Sequence, residues 1–281
     1  MVKKIFQFLQ KEISGLHSAA YLLAMSALLS QILGLLRDRL LASYFGAGNT
    51  LDIYYAAFRI PDFLFISVGS MVSVAVLIPF MMERMKSGPE EGKRFLSNVF
   101  SFFSLFIVVV CGIAFFLIPV LSAKIFPGFD ASSLAKVVML TRIILLSPIF
   151  LGLSNLLGTL TQMYQRFFLY SLSPIVYNIG IISGVIFFYP IFGIPGLAYG
   201  VVLGALAHFA VQAPFIVGHG LFPRLTLRFD MKEIKKVFLV SLPRTFALGS
   251  DNISVMFLLS IASLMASGSI AIFSFSYNLQ S

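Results

Sequence analysis

The chain has 281 residues, of which 59% are hydrophobic, 15% aromatic and only 11% charged, with a mean hydropathy of +0.97. Soluble domains carry roughly 25% charged residues, so this composition excludes an ordinary soluble enzyme or binding module and identifies a membrane protein. The net charge of +9 does not point to nucleic acid, because in such a chain lysine and arginine gather in cytoplasmic loops and set orientation.

Crossing a bilayer core takes about 20 apolar residues in a helix. Gaps free of Asp, Glu, Lys and Arg run from Ile13 to Leu36, Phe63 to Met82, Phe95 to Ala123, Ile143 to Gln165, Phe167 to Pro223 and Asn252 to Ser281. They lack the alternation of a barrel strand, so an all-α polytopic fold is predicted. Residues 1–17 place Phe6, Leu9, Ile13 and Leu16 at helical spacing among Lys3, Lys4, Lys11 and Glu12, which predicts an amphipathic helix on the cytoplasmic surface. No small-x-small cleavage site precedes Arg37, so the first span is read as uncleaved.

Spans are predicted at 18–45, 51–82, 94–122, 133–161, 168–189, 194–217 and 232–265, with an eighth beginning at 269. The long run from Phe167 to Pro223 divides into two crossings at the Pro- and Gly-punctuated YPIFGIPG, residues 189–196. Thirteen basic residues then fall on the side of the N-terminus: Lys3, Lys4, Lys11, Arg84, Lys86, Lys93, Arg94, Arg166, Arg224, Arg228, Lys232, Lys235 and Lys236. Lys124 and Lys136 lie near the connection on the other side, which predicts a cytoplasmic N-terminus. Residues 18–218 would form a six-span lobe, 219–231 a cytoplasmic connection and 232–281 the start of a second lobe, truncated where the eighth span has barely begun. A faint internal echo, ASYFGAG at 42–48 against ASLMASG at 262–268, fits a transporter of two related halves; chance similarity between apolar helices is the alternative.

Ionisable residues inside spans are costly and usually face a cavity or a partner. Here they are Arg37, Asp38 and Arg39 in the first span, Asp52, Arg59 and Asp62 in the second, and Arg244 and Asp251 in the seventh. Arg59 and Asp62 have the three-residue spacing that permits local neutralisation. Arg39 suits snorkelling to the far interface. Gly34, Gly46, Gly48, Pro61, Pro79, Pro148, Pro174 and Pro243 would bend the spans, as where helices line a hydrated cavity. Arginines in such a cavity suit a phosphate-bearing substrate. His17, His208 and His219 are dispersed, and His208 reads as a packing residue. Cys111 reads as a small apolar filler. No GK[ST] phosphate loop, metal-ligand spacing or catalytic arrangement is present, so neither an ATP engine nor a cofactor, metal or enzymatic activity is expected.

The stretch SQILGLLRDRLLASYFGAGNTLDIYYAAFRIPDFL, residues 30–64, resembles the opening of the MurJ (MviN) lipid II flippases of the MOP exporter superfamily. Ser30, Leu33, Gly34, Arg37, Asp38, Ala42, Phe45 to Gly48, Asp52, Ala57 to Arg59 and Pro61 fit its signature in order. Weaker similarity continues in PGF at 127–129, SPIVYNIGII at 173–182 and MASGS at 265–269. The resemblance implies a MurJ/MATE-like bundle of two lobes that carries an undecaprenyl-diphosphate-linked peptidoglycan precursor across the bacterial inner membrane by alternating access. Membrane lipids and the cell-wall synthesis machinery are the implied partners.

Carried over onto this sequence, Arg37 would contact the diphosphate, Ser30 and Asp52 would be cavity or gating residues, and Asp38 and Arg59 would position them. The family pattern also marks departures. Gln31 stands where an arginine is expected, Phe65 and Ile66 replace an Arg-Arg pair, Ser70 and Met71 replace Glu-Gly, and Asn278 replaces an arginine of the eighth span. Either Arg39, Arg142 or Arg244 compensates, or the cargo differs. Another lipid-linked oligosaccharide, a small molecule or a non-transporting scaffold are the alternatives.

Overall fold

A computed structural model describes residues 16–72 and 74–280; the amphipathic segment expected at 1–17 lies almost wholly outside them. The described residues are helical almost throughout. We label the helices α1 (Leu16–Phe45), α2 (Asn49–Gly69), α3 (Val74–Lys86), α4 (Pro89–Ile125), α5 (Ala131–Ile144), α6 (Leu146–Met163), α7 (Phe167–Ser183), α8 (Tyr189–Phe192), α9 (Ile194–Gly218), α10 (Met231–Ser263) and α11 (Ser269–Gln280).

Seven stretches are long and apolar enough to cross a membrane: α1, α2 with α3, α4, α5 with α6, α7 with α8, α9 and α10. They stand where the hydropathy predicts them, and a further helix, α11, starts at Ser269. Three spans are interrupted, one of them just before Pro148, whereas the helices continue through Pro61, Pro79, Pro174 and Pro243. A 3₁₀ turn at Ser70–Val72 separates α2 from α3. α5 ends at Ile144, four residues ahead of Pro148, whose ring nitrogen has no N–H to donate to the Ile144 carbonyl. A π turn at Gly184–Phe188 absorbs the approach to Pro190 in the same way.

Glycine sets the closest helix pairing. Gly180 and Gly184 on α7 and its extension face Gly200 and Gly204 on α9, and a Cβ at any of them would overlap the opposing backbone. In a membrane, where burial against lipid gives little drive, such backbone proximity lets dispersion contacts hold two helices together. Buried side chains form two apolar clusters. One, around Phe103, Ile107, Leu156 and Phe215, fills the half nearer the basic loops; the other, around Leu51, Tyr54, Phe126, Leu140, Val201 and Ile270, fills the opposite half. The candidate site lies at the edge of the second cluster.

Candidate functional site

The signature stretch brings α1 and α2 to the same place. On α1, the Arg37 Nε donates to Asp38 Oδ1 at 2.9 Å, and Arg37 Nη1 donates to Asn178 Oδ1 of α7 at 3.3 Å. Asn178 in turn donates through Nδ2 to the Ser30 hydroxyl at 3.2 Å. The other oxygen of Asp38 accepts from Asn278 Nδ2 of α11 at 2.9 Å. A polar chain therefore runs from α7 through α1 to α11, and Arg37 is held rather than free to sweep.

These groups border a small cavity of about 190 Å³ lined by Arg37, Tyr54, Tyr55, Arg59, Asp62 and Tyr177, with Phe58, Ile181 and Asn278 completing the wall. Tyr55, Arg59 and Asp62 repeat at four- and three-residue spacing and so share one face of α2. Arg59 does not close on Asp62, contrary to the local neutralisation expected from their spacing; its Nε donates to the Tyr55 carbonyl at 3.3 Å. Both guanidinium groups and the Asp62 carboxylate thus face the same space. The wall offers donors and acceptors together, which suits a substrate carrying phosphate and hydroxyl groups.

Asp52 sits apart from this cavity and does something different. Its two oxygens accept from the backbone N–H of Gly268 at 2.6 Å and of Ala271 at 2.8 Å, and the side chain is buried, at 3% exposure. A carboxylate on the first turn of α2 therefore caps the N-terminus of α11, where unpaired N–H groups and the helix dipole favour an anion. Around it the connections press together. Gly268, at φ +96°, leaves no room for a Cβ against the Ala47 carbonyl, and Gly128 leaves none against Ser263. Asn49 and Ser133 exchange hydrogen bonds at 3.0 and 3.3 Å.

Several residues expected at the cavity lie elsewhere. Gln31 is exposed on α1, six residues before Arg37 and so turned roughly 120° away on the helix. Arg39, two residues on, is likewise exposed, as snorkelling requires. Arg142 lies over the Phe115 ring at 4.6 Å and donates to the Phe115 carbonyl at 3.3 Å, in an apolar groove between α4, α5 and α9. Arg244 is exposed on α10. None of the three proposed compensating arginines lines the cavity. Tyr54, Tyr55 and Tyr177 do line it and Asn178 bonds to Arg37 at its edge, none of them expected from the sequence, although Tyr177 and Asn178 belong to SPIVYNIGII, one of the stretches of weaker family similarity. His208 packs against α6, with Nδ1 2.7 Å from the Ser154 hydroxyl, and Cys111 is buried and unbridged.

The family model described as lipid II flippase MurJ matches residues 41–281. The lipid II flippase MurJ of Burkholderia cenocepacia is 28% identical over 255 residues, covering 87% of this chain and 49% of that protein. The probable lipid II flippase MurJ of Borreliella burgdorferi is 30% identical over 269 residues, covering 90% and 50%. The chain thus spans about half the length of the curated relatives it matches. Among solved structures, a lipid II flippase MurJ in an inward closed conformation superposes with a TM-score of 0.69 at 25% identity, over 92% of this chain and 54% of that one. An outward-facing MATE transporter of the MOP superfamily superposes with a TM-score of 0.70 at 17% identity, over 98% and 61%, and so shares the fold. With the family's match running from Leu41 through α11, and its signature residues gathered around Arg37 and Asp52, the chain belongs to the MurJ family.

Proposed function

We propose that the protein moves lipid II, the lipid-linked peptidoglycan precursor, across the bacterial inner membrane by alternating access, as a transporter and not an enzyme. In this reading residues 18–218 form the first lobe, 219–231 the cytoplasmic connection and 232–281 the start of the second. The observation that carries it is the Arg37 arrangement. A guanidinium fixed by Asp38 and Asn178 keeps part of its donor fork facing the cavity beside Arg59, where a diphosphate would find two cations already positioned. Orienting the arginine in advance lowers the ordering cost of binding.

The gate in this reading is Asp52. While it caps α11, the end opposite the basic loops stays shut against the substrate. Opening requires both N–H bonds to break, after which the lobes could rock about the cavity with the lipid tail left in the bilayer. Each elementary charge moved through 100 mV contributes only about 2.3 kcal/mol, comparable to one such charge-assisted bond. Membrane potential could therefore bias this step without an ATP site.

A second reading is favoured by the departures at Phe65, Ile66, Ser70, Met71 and Asn278 and by Asp62 on the cavity wall. With fewer cations and one carboxylate, the cavity also suits a different lipid-linked oligosaccharide. Complementation decides between them. In cells depleted of their own lipid II flippase, the full-length protein should restore growth and outer-leaflet lipid II, and Arg37→Ala should abolish the rescue while still reaching the membrane. No rescue by a well-expressed protein overturns lipid II as cargo, and undiminished rescue by Arg37→Ala overturns the role of the cavity.

A further inference from the structure

The connection between α9 and α10 is not a loose loop. Residues 221–230 run extended along α4, and three polar side chains of that helix hold their backbone. Ser97 Oγ accepts from the Arg224 N–H at 3.0 Å; Ser101 Oγ accepts from the Thr226 N–H at 2.9 Å and donates to the Arg224 carbonyl at 3.3 Å. Asn98 accepts from the Asp230 N–H at 3.0 Å and donates to its carbonyl at 3.3 Å. Phe222 packs against Phe100, and Phe229 packs edge-on against Phe102. Asn98 and Ser101 are buried.

This anchorage has a physical reason. Ser97, Asn98 and Ser101 fall within the charge-free run of α4 that begins at Phe95, which places the strap at the boundary between headgroups and acyl chains. Extended backbone at that depth is tolerated only if its polar groups are satisfied by protein. With its inner edge satisfied, the strap turns Leu225 and Leu227 outward, at 76% and 85% exposure. Arg224 and Arg228, also exposed, flank them.

Between the strap and α4 lies a cleft of about 1000 Å³, bordered by Lys93, Arg94, Arg224, Arg228 and Lys232. Its carboxylates are already engaged. Glu90 pairs with Lys93 at 2.9 Å, Glu233 pairs with Arg84 at 2.7 Å, and Asp230 accepts from the N–H groups of Lys232 and Glu233. Among the described residues no carboxylate forms an ion pair with Arg224, Arg228 or Lys232, so five cations against three carboxylates leave the cleft net positive beside two exposed leucines.

We propose that this cleft binds the headgroup phosphate of an anionic phospholipid, with Leu225 and Leu227 set between its acyl chains. A soluble phosphate would use the arginines but give the leucines nothing to bury, whereas a lipid satisfies both. The combination of interfacial leucines with flanking arginines is the one that binds anionic membrane surfaces. The site is separate from the Arg37 cavity and does not depend on the cargo. Because the strap is the covalent link between α9 and α10, a bound lipid would also brace that link.

The test is a titration of the full-length protein with phosphatidylglycerol, counting retained lipids by native mass spectrometry. Arg224→Gln/Arg228→Gln should weaken retention roughly tenfold, whereas Lys86→Gln/Lys236→Gln, an equal charge change on exposed lysines outside the cleft, should leave it unchanged. Independently, a fluorophore on Leu227→Cys in a Cys111→Ala background should be quenched by lipids brominated near the top of the acyl chain. Equal losses in the two double variants, an unquenched label, or displacement of the lipid by millimolar inorganic phosphate would each overturn the proposal.

Discussion

Helices α10 and α11 meet the first six spans at both ends of the bundle, and the two junctions are built from different chemistry. At the end away from the basic loops, a buried carboxylate accepts two backbone N–H bonds and glycines let connections touch through bare backbone. At the basic end the junction is made by side chains. Arg84 pairs with Glu233 at 2.7 Å, and farther along α10 the buried Ser70 shares a hydrogen bond with Thr245 at 2.7 Å and the buried Ser241 donates to the Met71 carbonyl at 2.8 Å. Backbone contacts of the first kind are met or missed within a few tenths of an ångström. A long, partly solvated pair such as Arg84 and Glu233 can follow a moving partner, so the difference separates a latch-like junction from a compliant one.

Removing the latch should have the largest effect. Asp52→Ala deletes two charge-assisted bonds and leaves two N–H groups unpaired, a loss of about 3–5 kcal/mol at that junction. The check is maleimide labelling of Ala271→Cys, a buried position, in a Cys111→Ala background: the rate should rise steeply with Asp52→Ala. An unchanged rate would sink the latch. Gly268→Ala comes next. A Cβ there is strained at φ +96° and collides with the Ala47 carbonyl, costing about 2–3 kcal/mol, so the same label should react faster, though less than for Asp52→Ala.

The basic end should answer weakly. The Arg84 side chain is 35% exposed and that of Glu233 11%, and a partly solvated pair of this kind contributes about 0.5–1 kcal/mol. Glu233 also keeps its bond from Asn98 at 3.2 Å. Arg84→Gln should therefore lower the melting temperature in detergent by only a few degrees and leave Ala271→Cys labelling unaltered. A loss as large as that of Asp52→Ala would erase the distinction between the two ends.

How far the sequence foretold this arrangement depends on which interaction decides each part. Span positions were legible because the hydropathy of a bilayer crossing is a local property, and YPIFGIPG divided the long apolar run at Gly193, where the helix does end. The pairing of α7 with α9 is not legible, although Gly180 and Gly184, and likewise Gly196, Gly200 and Gly204, are spaced four apart; among 21 glycines, only contact with the partner helix distinguishes these. At the site, Arg37, Asp38 and Asp52 stand out in the sequence because charge inside an apolar run is conspicuous. Arg142 was misplaced by the same rule, since a charge on a span can face a lipid groove as well as a cavity. Tyr54 and Tyr55 were passed over because a tyrosine among 31 phenylalanines and 10 tyrosines gives no local sign that it faces a cavity. That Asp52 caps α11 is not legible in the sequence, because its partners are N–H groups 216 and 219 residues away.

The smallest expected effect tests the rim of the latch. Asp130 caps α5 from the connection that also carries Gly128. The Ser133 hydroxyl, followed by the N–H groups of Ser132 and Ser133, holds its carboxyl below the ordinary range. A carboxyl lowered by folding stabilises the folded chain above its unfolded value, about 3.9, and that contribution is lost as the pH falls through the folded value. Melting of Asp130→Asn and of the unaltered protein should therefore differ slightly at pH 7 and converge below pH 4. Because Asp130 is exposed to solvent, the difference should also shrink with salt. It should leave Ala271→Cys labelling unchanged, since Asp130 orders the loop beside the junction without making the two bonds that close it. A large pH-dependent change in labelling would instead mean that the rim, and not Asp52, holds that end shut.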